Sequence, residues 1–167
     1  MAAGSTYTPI ATYTATGSVS TYTFSSIPAT YTDLVLVINA ATAASTGNPS
    51  IRFNGDTANN YSFTILYGNG TSAASTRDSN LSYLYFAVAT FLNTTYDENL
   101  IIQIQNYSNA TTYKTSLARV NKASTGVEAT VGLWRNTAAI NSLTIFLPNG
   151  SNFSSTSTFT LYGIAAA

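Results

Sequence analysis

Short runs rich in Tyr, Val, Ile, Phe and Thr recur at intervals of roughly ten residues, each closed by a cluster of Gly, Asn, Ser or Pro. No stretch sustains a helical period, so the pattern admits an all-β chain. Strands are predicted near 19–25, 31–40, 50–54, 61–67, 81–90, 99–106, 112–121, 127–135, 141–147 and 157–164. Several alternate as a sheet with one covered face must. In ENLIIQIQNY, Leu100, Ile102 and Ile104 point one way, and Gln103 and Gln105 the other. Leu143, Ile145 and Leu147 repeat the pattern, as do Phe159 and Leu161. DLVLVINA is apolar on both faces from Leu34 to Ile38, as a central strand covered on both sides would be.

About eight to ten strands with no helices between them suit an antiparallel β-sandwich, two sheets packed face to face, and a jelly roll is the first expectation. An immunoglobulin-like sandwich comes second because its Cys and Trp landmarks are not in place, and an up-and-down barrel third. At 167 residues the chain fits one domain. The expected division is an N-terminal arm over 1–18, suited to donation as a strand across an interface, and a single β-sandwich domain over 19–167. Segments 41–49 and 70–80, made of small residues, read as loops.

Charged residues make up 7% of the chain, against about 25% in an average soluble domain. Six basic residues balance six acidic ones and form no concentrated patch. A phosphate backbone needs such a patch, so nucleic acid is not an expected partner. With no net charge to hold copies apart, self-association is expected; the alternative is a monomer hydrated by its Thr, Ser and Asn side chains. The longest apolar run, LVLVI, is strand-sized and far short of the ~20 residues of a membrane span. The start, MAAGSTYTPIATYTA, has no basic segment leading into an apolar one, which predicts synthesis without a secretory signal.

The chain has no His and no Cys, which removes Ser–His and Cys–His catalysis, thiolate metal sites and disulfides together. Carboxylate chemistry would need two converging acids. Asp97 and Glu98 are adjacent and would face opposite sides of a strand, while Asp33, Asp56, Asp78 and Glu128 lie on separate elements. No catalytic residue, metal ligand or cofactor is assigned, and a non-enzymatic role is expected. The stretch IRFNGDTANNYSFTILYGNG poses the sharpest alternative, since its Asn, Asp and Gly suit either a calcium loop or tight turns. A calcium loop wants several acids and a closing Glu, and NGDTANN offers one carboxylate. Turns at Asn54-Gly55-Asp56 and Asn69-Gly70 are therefore predicted.

In LSYLYFAVAT, inward Leu84, Phe86 and Val88 would leave Tyr83 and Tyr85 on the opposite face beside Leu81. Tyrosines so placed stiffen the sheet, bury in a subunit contact, or stack on sugars. Trp134, in VGLWRN, is a core or rim anchor, and Arg135 beside it is the best candidate for an inter-subunit hydrogen-bonding hot spot. Tyr83, Tyr85, Trp134 and Arg135 form the candidate interface set.

Five blocks, YTFSSIPATYTDLVLVINA, IRFNGDTANNYSFTILYGNG, IQNYSNATTYKTSLAR, GLWRNTAAINSLTIF and FTLYGI, together resemble a family of small virion proteins of tailed phages of aquatic bacteria. These occur as stand-alone proteins and as modules ending longer tail or fibre proteins. The resemblance spans nearly the whole chain and brings no motif of assigned chemical role, so no functional residue is carried over. It implies a structural protein at the surface of a phage particle, made in the host cytoplasm. A capsid decoration or cement protein is the first expectation, bound to the major capsid protein lattice and to copies of itself, with trimers common among similar components. The alternative is a tail-fibre or receptor-binding tip that recognises host glycans.

Overall fold

In the computed structural model, which describes residues 6–87, 92–95, 98–122 and 125–165, every regular element among the described residues is a strand. In chain order these are β1 (Tyr7–Thr14), β2 (Thr21–Phe24), β3 (Asp33–Ala40), β4 (Ser50–Phe53), β5 (Tyr61–Gly68), β6 (Ala73–Leu81), β7 (Leu84–Tyr85), β8 (Glu98–Gln105), β9 (Lys114–Lys122), β10 (Gly126–Trp134), β11 (Leu143–Phe146) and β12 (Thr158–Ile164). They form two antiparallel sheets. One runs β1-β12-β3-β8-β9-β10-β5-β6 and the other β2-β11-β4-β7.

Period-two alternation decides what each strand buries. On β8, β9 and β10 the even-numbered residues face inward, so Leu100, Ile102, Ile104, Ala118, Val120 and Trp134 enter the core. Phe24, Ile51, Phe53, Leu84, Leu143 and Ile145 meet them from the smaller sheet in one hydrophobic cluster. Gly132 permits a close approach between the sheets there. A Cβ on it would stand 2.8 Å from a methyl of Leu84 and 2.6 Å from the Ser116 hydroxyl. β3 has the central place its sequence predicts, between β12 and β8, and Val35 on its outward side is also buried. The cross-strand partners of Val35 are Tyr162 and Gln103 of the same chain.

Two strands were not legible as strands. Residues 7–14 of the expected arm form β1, an edge strand paired along its length with this chain's own β12. Its register slips between Pro9 and Ala11, which suits a residue with no N–H to give to a ladder. Tyr13 then stacks on Tyr22 with ring centroids 4.0 Å apart. The second correction is the expected loop 70–80. Ala73–Leu81 is β6, nine mostly exposed residues paired with β5. A hairpin turn forces that pairing: Gly70 has φ 88°, and the Asn69 side-chain oxygen accepts from the N–H groups of Thr71 and Ser72. Being an edge with no apolar side to bury, β6 carries polar and charged residues that discourage further pairing.

The run expected over 81–90 yields only β7, while Phe86 continues it by bonding to the Pro49 carbonyl; residues 88–90 lie outside the described residues. Segment 41–49 is irregular as expected, held by backbone bonds from Thr42 to Asn93 and from Gly47 to Leu92.

Candidate functional site

The Asn54–Asn60 segment is a turn system, and the structure shows how it is fixed. Asn54 and Gly55 take φ of 51° and 66°, and the Asp56 N–H bonds back to the Phe53 carbonyl at 2.9 Å. The chain thereby leaves β4 in one sheet and enters β5 in the other. The Asp56 carboxylate accepts from the Ala58 N–H at 2.9 Å, the Asn60 amide at 2.9 Å and the Trp134 indole N–H at 2.8 Å. Burial alone would raise its pKa; the donors from Asn60, Trp134, Ala58 and Asn136 outweigh that and hold it below the usual aspartate value. Among the described residues no three of His, Cys, Asp and Glu come together as a metal-binding group.

Trp134 is therefore not an interface residue. An even position on β10 faces inward, and the side chain is completely buried, stacked 6.2 Å from Tyr61 and tilted 5.5 Å from Phe53. Arg135 is half-buried and committed within the chain. Its guanidinium donates to the Ser62 hydroxyl, the Asn59 carbonyl and the Asn80 side chain, and its backbone N–H to the Asn60 carbonyl. Its spare donors staple the turn to β5 and to the end of β6, which leaves little for a partner.

The converging acids absent from the sequence reading are Glu98 and Glu128. Both face inward at one end of the large sheet, on β8 and β10, with Lys122 of β9 between the two strands. The Lys122 ammonium lies 3.3 Å from Glu98. Burial drives the Glu98 pKa from 4.5 up to about 7, opposed by Lys122 and assisted by the Glu128 charge. Its Oε2 has no hydrogen-bond partner. Glu98 is 1% exposed and Glu128 2%, so a substrate has no surface from which to reach Oε2.

Two surface features remain. The outward positions of β5, β9 and β10 carry Leu66, Leu117, Val127 and Val131, all about half exposed or more, and one charged side chain, Arg119. Cross-strand register joins them, since Val131 faces Leu117 and Leu66 faces Ala129. Sequence reasoning missed this face because GVEATVGLW alternates the opposite way: its odd positions are Val127, Ala129, Val131 and Leu133 and its even ones include Glu128 and Thr130, so alternation marks the outward side as the one to bury.

The second feature is a cleft of about 350 Å³ lined by Thr46, Asn48, Tyr83, Tyr85, Pro148 and Asn149. The alternation expected around β7 is present: Leu84 and Phe86 are buried, while Tyr83 and Tyr85 are half-buried and line this cleft. Of the four candidate interface residues, the structure brings these two together and sends the other two to the turn. Burial, then the Asp78 charge and neighbouring Tyr83, raise the Tyr85 pKa.

No protein-family model matches the chain, and no curated protein matches it. Among solved structures it is similar to the crystal structure of Scytalido-glutamic peptidase with a peptide-based transition state analog. The identity is 10%, over 92% of this chain and 66% of that one, with a TM-score of 0.27. A likeness at that score carries no statement about fold or activity.

Proposed function

We propose that the chain is a non-enzymatic structural protein of a bacteriophage particle, a capsid decoration or cement protein that binds the major capsid protein lattice and copies of itself. The observation that carries this reading is the outward face of β5, β9 and β10. An apolar, nearly uncharged sheet face is costly to leave in water and is suited to burial against another protein surface. The absence of net charge works in the same direction, and many weak contacts on a lattice add up through avidity. The sequence resemblance to phage virion proteins supplies the particle.

We read the architecture as a β-sandwich of the jelly-roll type, a fold that serves viral capsid and lectin domains among others. Strand neighbours support it: β1 lies beside β12, β2 beside β11, β3 beside β8 and β4 beside β7. That is the pairing of a chain folded double and then rolled. In this reading the hairpins β5–β6 and β9–β10 are additions that widen one sheet. They also build the apolar face, which ties the added strands to the proposed role.

Densitometry of purified particles tests the assignment. A decoration protein is present in hundreds of copies per particle; a copy number of a few dozen or fewer overturns the reading and favours a receptor-binding tip. One observation, the aromatic cleft, favours that second reading.

A further inference from the structure

We propose that the cleft at β7 is a binding site for an uncharged glycan. Its walls come from three segments: the loop before β4 (Thr46 and Asn48), the tyrosines that bracket Leu84, and the turn after β11 (Pro148 and Asn149). Every lining side chain is neutral, so the site offers no counter-charge to a phosphate, sulfate or carboxylate ligand. It offers instead what sugars require, aromatic surface for C–H faces and amide and hydroxyl groups for hydroxyls.

The rings are held in place before any ligand arrives. Tyr83 stands edge-on against Phe146 at 5.4 Å, and Tyr85 against Phe63 at 4.4 Å. Arg52 supports this arrangement from the side, its guanidinium 4.7 Å from the centre of the Phe146 ring and its Nε donating to the Ser82 carbonyl at 3.1 Å. Asn149 donates to the Thr46 carbonyl at 2.7 Å, which ties two walls together. Fixed walls lower the entropy lost on binding. Polar groups remain for a ligand: among the described residues, the Tyr83 and Tyr85 hydroxyls and the Asn48 side-chain amide have no hydrogen-bond partner. A cleft of about 350 Å³ accommodates about one or two sugar rings.

An extended peptide fits less well. Peptides that add to a sheet need a strand edge to pair with, and β7, the edge strand here, is two residues long.

The test uses the full chain on an array of neutral gluco-, galacto- and manno-oligosaccharides beside heparin and alginate, with hits titrated by calorimetry. The expected result is binding to at least one neutral oligosaccharide at millimolar affinity or better. Tyr83→Ala and Asn48→Ala should each weaken it about tenfold or more, while Tyr113→Ala, at an exposed tyrosine outside the cleft, leaves it unchanged. Asn48→Ala removes no core contact, so a folded protein with lost binding isolates the site. Absence of any neutral ligand, binding confined to the anionic glycans, or binding unchanged in both cleft variants overturns the proposal. Glycan binding and particle copy number are separate readouts, so either proposal can fail alone.

Discussion

Asp56 and Glu98 are both carboxylates packed against a sheet, and their surroundings push them in opposite directions. Asp56 receives three hydrogen bonds and sits below its ordinary pKa. Glu98 has the nearer cation, Lys122 at 3.3 Å, yet sits far above its ordinary pKa because burial dominates and one oxygen is unpartnered. The difference starts from burial: Asp56 is only partly buried, so its aimed N–H donors outweigh desolvation, whereas Glu98 is almost fully buried and one ammonium does not offset the cost. A short turn can aim several donors at one point, whereas the strands around Glu98 spend theirs on the ladder.

The largest effect is expected where the satisfied carboxylate meets the core. Trp134→Ala removes both the indole donor to Asp56 and the largest buried side chain, and should cost about 3–5 kcal/mol, read from denaturant unfolding. Trp134→Phe keeps most of the volume and loses the donor, so it should cost less and raise the Asp56 pKa. A loss of equal size in both variants would mean that the hydrogen bond, not the packing, holds this end of the two sheets together.

Next in size is the dependence of stability on pH, where the two carboxylates give opposite limbs. The Glu98 pKa is higher folded than unfolded, so its contribution is complete below 4.5 and is lost as pH rises through about 7. The Asp56 pKa is lower folded than unfolded, so its contribution is complete above 3.8 and is lost as pH falls below that. Stability should peak near pH 4–5. Melting curves across this range check it: Glu98→Gln should flatten the neutral limb and Asp56→Asn the acid limb. A neutral limb that persists in Glu98→Gln would place its source elsewhere.

The contrast also explains what the sequence could disclose. Turns at Asn54-Gly55 and Asn69-Gly70 were legible because positive φ is a local demand that Asn and Gly meet by themselves. Most strands were legible because inward residues repeat at period two. β6 was not, since its stability comes from the hairpin turn and the β5 ladder, and AASTRDSNL carries no apolar rhythm. Trp134 was ambiguous between core and rim until β10 acquired a register; its parity with buried Thr130 and Gly132 then fixes it inward. Glu98 and Glu128 meet through strand order, with β9 between their strands, and no spacing along the chain encodes that. The Tyr83–Tyr85 pair was visible as an outward pair, but its cleft needs loops 46–49 and 148–149, which arrive from far along the chain.

The smallest expected effect extends the lesson to a neutral group. Thr130 lies on the inward face of β10, completely buried, one inward position from Glu128, and its hydroxyl has no hydrogen-bond partner. Like the Glu98 oxygen it was taken from water without replacement. Thr130→Val keeps the branched shape that suits a strand and removes the stranded hydroxyl, so it should stabilise the protein by about 1 kcal/mol, seen as a rise in Tm. Ser116 is the control. Its hydroxyl is also unpartnered, but Ser116→Val adds bulk beside Gly132, where even a methyl would meet the Ser116 oxygen at 2.6 Å, so overpacking should cancel the gain. A loss of stability in Thr130→Val would show that this hydroxyl finds a partner in solution, unlike the Glu98 oxygen.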